Sequence, residues 1–147
     1  MAVEMIGRIV CLDVGERRIG VAQSDLLGLT AQPVETFVRT GDQEKDYRYL
    51  AELLKSHEAK CLVVGLPKNM NNSIGFKAEE IRIFVEKFMP YLPDDFPVEW
   101  VDERLTTVSA ENVLLEANVS RRKRKNVIDK LAAVFILQTY LDSHPQK

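Results

Sequence analysis

The stretch Ile9–Ala22, IVCLDVGERRIGVA, decides how the rest of the chain can be arranged. Its opening run, Ile9, Val10, Cys11 and Leu12, is continuously apolar, the pattern of a strand covered on both faces. The run ends on a carboxylate, Asp13. Gly15 permits a tight reversal, Glu16 to Arg18 form a polar loop, and Ile19 to Ala22 resume as a second strand. A carboxylate at the end of a buried strand is costly to desolvate unless a cation or backbone donors compensate it. Asp also caps turns through neighbouring N–H groups, and on this stretch alone both readings stand open. Convergence of other carboxylates on Asp13 would separate them.

Beyond the hairpin, Asp25 to Pro33 is a loop and Val34 to Arg39 a third strand, with Pro33 marking its start. From Asp42 to His57, Tyr47, Leu50, Ala51 and Leu54 recur at i, i+3, i+4 and i+7, which predicts an amphipathic helix. Cys61 to Gly65 is a fourth strand that stops at Gly65-Leu66-Pro67, and a polar loop from Lys68 to Gly75 follows. A second helix runs from Lys77 to Phe88 on the stripe Ala78, Ile81, Val85 and Phe88. Val98 to Asp102, VEWVD, is the fifth strand. Thr106 or Thr107 caps a third helix with the stripe Ala110, Val113, Leu114 and Ala117. A basic loop follows, then a last helix from Asn126 or Val127 to about Ser143.

Length and composition set the class. The chain has 147 residues, enough for one domain with a substantial core. Its hydrophobic content of 46% and charged content of 29% are those of an ordinary soluble globular protein. Cys11 and Cys61 each lie in an apolar run and read as core residues of a reducing compartment, not as a disulfide or metal pair. No stretch approaches the roughly 20 apolar residues of a membrane span, and no signal peptide is read before Ile9, so a cytoplasmic protein without membrane partners is expected. The net charge of −2 does not advertise nucleic-acid binding, but Arg121, Arg122, Lys123, Arg124 and Lys125 are consecutive. Such a run is commonly a solvated, mobile loop.

Helices between single strands imply right-handed crossovers and parallel pairing of strands 1, 4 and 5. The hairpins leave strand 2 antiparallel. The expected architecture is an α/β fold with a mixed five-stranded sheet in the order 3-2-1-4-5 and helices on both faces. A crevice opens where the growth direction reverses, between strands 1 and 4. Asp13 lies at the carboxyl end of strand 1, and Asp102 and Glu103 at that of strand 5, where alternation lets only one face the crevice. The last helix is apolar nearly all round, yet Asp129 shares a line with Ala132, Ala133, Ile136 and Tyr140. A first-turn acid gains from the helix dipole, which is the plainer account of Asp129, but this leaves its company of alanines unexplained. Three carboxylates from these elements make an oxygen-ligand site suited to Mg²⁺ or Mn²⁺ and to phosphodiester hydrolysis. Arg17, Arg18, Arg104 and the run Arg121–Lys125 would hold phosphates beside it.

Four motifs in order carry a family resemblance. They are Asp13-Val14-Gly15 with Arg18-Ile19-Gly20, Gly65-Leu66-Pro67 with Asn69-Met70, Asp102-Glu103-Arg104-Leu105-Thr106-Thr107, and Asp129-Lys130-Leu131-Ala132-Ala133. Together they resemble the bacterial YqgF family over about the whole chain, from Arg8 to Leu141. The resemblance implies a single ribonuclease-H-like nuclease domain over residues 1–147, related to Holliday-junction resolvases. It further implies cleavage at the 5′ end of pre-16S ribosomal RNA, and an acidic set of Asp13, Glu103 and Asp129. Asn71-Asn72 departs from the Asp or Asn followed by Gly that many members carry after the position of Met70.

The expected function is therefore metal-dependent hydrolysis of structured nucleic acid by a monomer or homodimer, with Mg²⁺ or Mn²⁺ on Asp13, Glu103 and Asp129. Expected nucleic-acid contacts are Arg17, Arg18, Lys68, Asn69, Arg104, Arg121, Arg122, Lys123, Arg124 and Lys125. Branched DNA is the alternative substrate, and a non-catalytic RNA-binding assembly factor the alternative role. Asp13 to Gly20 also looks like the first phosphate loop of actin-like ATPases, but those need a second similar domain for which this chain has no room.

Overall fold

In the computed structural model, which describes residues 7–67, 75–102 and 121–144 (121–130 by backbone alone), the opening stretch forms a β-hairpin at the centre of a sheet. Its strands are β1 (Arg8–Val14) and β2 (Arg18–Ser24), followed by β3 (Ala31–Val38), α1 (Gln43–Ser56) and β4 (Ala59–Leu66). Next come α2 (Phe76–Phe88), a short 3₁₀ turn (Met89–Tyr91), β5 (Val98–Asp102) and α3 (Arg121–Ser143). The sheet order is β3-β2-β1-β4-β5. β4 is parallel to β1 and β5 to β4, whereas β2 is antiparallel to β1 and to β3, as the sequence predicts.

Alternation along β1 explains why its run is apolar without a break. Val10, Leu12 and Val14 point into a core shared with Tyr47, Leu50 and Leu54 of α1 and Ile81, Phe84, Val85 and Phe88 of α2. Ile9 and Cys11 point the other way, onto Ala133, Ile136, Leu137, Tyr140 and Leu141 of α3. A strand so placed has no solvent side, and each large side chain it buries contributes about 1.5–3 kcal/mol. Cys11 is fully buried, Cys61 partly so, and neither forms a disulfide, as expected of core residues.

Two boundaries differ from expectation by three residues or more. β3 begins at Ala31, so Pro33 lies inside it, opposite Ala22 where the register with β2 shifts. The strand is an edge of the sheet, and an edge tolerates a residue that lacks an N–H donor. α3 begins at Arg121, so Arg121–Lys125 carry helical backbone rather than the loop that their charge predicts. Arg and Lys are among the better helix formers, and the apolar face further along α3 anchors the helix they extend. The helix expected between Thr106 and Ala117 lies outside the described residues.

The helix start after β3 is secured locally. The Asp42 carboxylate accepts the Lys45 N–H at 3.2 Å as an N-cap. Asp46, only 1% exposed, accepts the Thr40 hydroxyl at 2.7 Å and the Thr40 N–H. This buried acid therefore clasps the β3–α1 turn and takes no part in the crevice.

The β1–β2 turn depends on Gly15, whose N–H donates to the Arg18 carbonyl at 2.9 Å. A Cβ at Gly15 would stand 2.7 Å from that same oxygen, a backbone atom that cannot yield. Gly15→Ala is accordingly expected to lower stability by about 1–3 kcal/mol, read as a shift of the urea midpoint at unchanged slope. An unshifted midpoint would mean that the turn relaxes without cost.

Candidate active site

Asp13 follows Ile9 and Cys11 on the α3 side of β1, half-buried at the strand's carboxyl end. Across the hairpin it is paired with Gly20. A Cβ at Gly20 would lie 3.6 Å from the Asp13 Cβ and 3.5 Å from the Ala133 Cβ. Because Gly20 has no side chain and Ala133 only a methyl, α3 comes down onto the hairpin beside the acid. The buried positions 133, 136, 137 and 140 of α3 recur at helical spacing, and position 129, one turn before Ala133, falls on the same line. The Asp129 side chain lies outside the described residues.

At the end of β5, Val101 belongs to the core under α3. Asp102 therefore points to the opposite face of the sheet from Asp13. Of the two neighbouring acids expected there, Asp102 is not the one that shares Asp13's face. Glu103 and Arg104 lie outside the described residues, as do Lys68 and Asn69. Arg17 and Arg18 are exposed on the β1–β2 turn, and alternation from Gly20 and Ala22 puts Arg18, not Arg17, on Asp13's side. For Arg121, Arg122, Lys123, Arg124 and Lys125 the structure gives the helical backbone only.

Among the described residues no three acidic, His or Cys side chains cluster as metal ligands, and Asp13 alone represents the expected set. The donor chemistry there fits a hard divalent ion. A half-buried carboxylate at the strand end offers the oxygen donors that Mg²⁺ or Mn²⁺ takes. Cys61 stands away from it, opposite Ile9 near the start of β4, and burial, reinforced by Glu99, pushes its thiol up to about 11.

Arg39 is a contributor that sequence reasoning missed. Its Nη1 donates to the Gly15 carbonyl at 2.9 Å, and its backbone N–H donates to the Arg17 carbonyl at 2.8 Å. Its guanidinium lies 5.0 Å from the centre of the Phe84 ring. The turn that carries Asp13 is thus tied to the end of β3 and to α2. No local pattern announces this, because the partners are 24 residues apart.

Comparison with known proteins agrees with this architecture. The sequence profile of the RuvX family, described as Holliday junction resolvase, matches residues 7–143. A protein of Staphylococcus carnosus (strain TM300) named "Putative pre-16S rRNA nuclease" is 54% identical over 137 residues, 92% of this chain and 96% of the relative. One of the same name from Enterococcus faecalis (strain ATCC 700802 / V583) is 54% identical over 140 residues, 93% and 98% of the two chains. The solved structure of T. thermophilus RuvC in complex with Holliday junction substrate superposes with a TM-score of 0.59 at 12% identity, covering 93% of this chain and 94% of that one. At that identity the likeness is one of fold, and it is the ribonuclease-H-like fold that the sheet order already describes. With a profile match across almost its whole length and relatives more than half identical to it, the chain belongs to the RuvX family of nucleases.

Proposed function

We propose that this protein is a divalent-metal-dependent endonuclease that matures the 5′ end of pre-16S ribosomal RNA in the cytoplasm, as one domain acting as monomer or homodimer. The observation that carries the reading is the placement of Asp13 at the carboxyl ends of the parallel strands, on the face that α3 covers, with Gly20 and Ala133 closing the helix onto it. The relatives' names supply the choice of RNA.

Asp13, Glu103 and Asp129 would hold Mg²⁺ or Mn²⁺. Such ions supply a hydroxide at neutral pH and neutralise charge on the phosphate. With Asp102 turned to the far face, Glu103 is the acid of that pair suited to join Asp13. Arg18, on Asp13's side of β2, would orient the phosphate next to the scissile one. Lys68, Asn69, Arg104 and Arg17 would add contacts along the strand.

Purified protein with Mn²⁺ or Mg²⁺ is to be incubated with a 5′-extended 16S precursor fragment and, separately, with a four-way DNA junction. Cleavage of the RNA, lost on adding EDTA, is the expected result. Cleavage of the junction alone would replace the reading by a resolvase. Tight RNA binding without cleavage by either metal would replace it by an assembly factor.

The basic start of α3 gives a separate test. Each residue that pairs a phosphate displaces a counterion, so the slope of log K against log salt changes by roughly 0.7 per contact on a single strand. Replacing Arg121–Lys125 with Gln, which keeps helix propensity, is expected to flatten the slope by up to about 3.5. An unchanged slope would place the binding surface elsewhere.

A further inference from the structure

On the face of the sheet opposite Asp13, a cavity of about 340 Å³ opens between α1, α2 and the β1–β2 turn. Its buried lining is Val14, Tyr47, Ile81 and Phe84, apolar but for the Tyr47 hydroxyl. Arg39 is the one charged lining residue withdrawn from the exposed surface. The exposed rim carries Lys77, Lys87, Glu16 and Glu80.

Arg39 is the informative group. A guanidinium keeps its charge at any working pH and presents its donors in a fixed fork. Among the described residues no carboxylate forms an ion pair with it. Its assigned partners are one carbonyl, that of Gly15, and the Phe84 ring. One of five N–H donors is thereby used, and the group is held rigidly where it lines a cavity. The buried hydroxyl of Tyr47, which lines the same cavity, has no hydrogen-bond partner among the described residues. Lys77 and Lys87 add positive charge at the rim, and neither is paired with Glu16 or Glu80.

We propose that this cavity binds a nucleoside monophosphate unit, its phosphate on Arg39 and its base and sugar against Val14, Ile81 and Phe84. The size is at the small end of ligand cavities, which suits one nucleotide and not an extended oligomer. The arginine fork matches phosphate geometry. The exposed rim glutamates, Glu16 and Glu80, can accept from the hydroxyl and amine groups of a nucleotide. The unit can arrive free or as one nucleotide of a nucleic-acid chain. The inference does not depend on the protein's cleaving anything, because Asp13 lies on the other face.

The test is calorimetric titration of the full chain, without divalent ion, with AMP, UMP, inorganic phosphate and a 5′-phosphorylated tetranucleotide. AMP and UMP are expected to saturate, and Arg39→Gln to weaken them by about tenfold or more, as for loss of a charge-assisted pair. Since Arg39→Gln also loosens the turn, the double variant Lys77→Gln/Lys87→Gln serves as a second probe. It is expected to weaken binding a few-fold with the melting temperature unchanged. Asp13→Asn is expected to leave these affinities as they are. Tighter binding of the tetranucleotide than of AMP would identify a nucleic-acid chain as the source, and equal binding the free nucleotide. Three results would overturn the proposal: no saturation by either nucleotide, phosphate binding as tightly as AMP, or loss of nucleotide binding in Asp13→Asn.

Discussion

Asp13→Asn abolishes metal-dependent cleavage while leaving the fold at least as stable as before; this is the expected result if Asp13 is a metal ligand. Even groups that only support a ligand cost 10–100-fold in affinity or activity when removed, so loss of a ligand itself is expected to exceed about 100-fold. Stability moves differently. Without metal, a carboxylate in company with others is repelled by them, and its neutral isostere relieves that repulsion. The position is half-buried against Gly20 and Ala133, and Asn fits the space that Asp leaves. The measurements are a cleavage assay with Mn²⁺ and a thermal melt in EDTA. A melting temperature that falls by several degrees would instead assign Asp13 to capping the hairpin, the other reading that its sequence position allows.

The second large effect concerns Gly20, and its sign turns on side-chain size. A Cβ there meets Ala133 and Asp13 at 3.5 and 3.6 Å, ordinary van der Waals distances. Gly20→Ala is therefore expected to fold, with stability unchanged or raised by up to about 1 kcal/mol, because a strand glycine carries an entropic cost. Gly20→Leu adds atoms where none fit and must lift α3 from the hairpin. Overpacking of this kind costs about 1–3 kcal/mol, or roughly 2–4 °C in melting temperature per kcal/mol for a chain of this size. Activity should suffer more than stability, since displacement by about 1 Å at a catalytic centre can cost about 100-fold. Rescue of the melting temperature by an osmolyte without rescue of cleavage would show that the α3 position, not global unfolding, is what cleavage requires. Full activity in Gly20→Leu would show that α3 does not need to approach β1–β2, and would remove the geometric support for Asp129.

Much of the architecture was legible from local patterns alone. The unbroken apolar run before Asp13 reports a strand covered on both faces, and such a strand belongs in the middle of a sheet with helices on either side. The alternation of single strands with helical stretches then fixes parallel pairing of β1, β4 and β5, and with it the end of the sheet on which Asp13 stands. These features are local, with periods of 2 and 3.6 residues, so a linear reading recovers them. Three others required the tertiary structure. The choice against Asp102 needed the identity of the core that Val101 joins. The start of α3 at Arg121 runs against the repulsion of its own charges and is decided by packing of the helix further on. The bond from Arg39 to Gly15, and the close approach of Ala133 to Gly20, join residues far apart in the chain. Contacts of that kind leave no period in the sequence, because each is a single meeting of two surfaces whose positions only the completed packing sets.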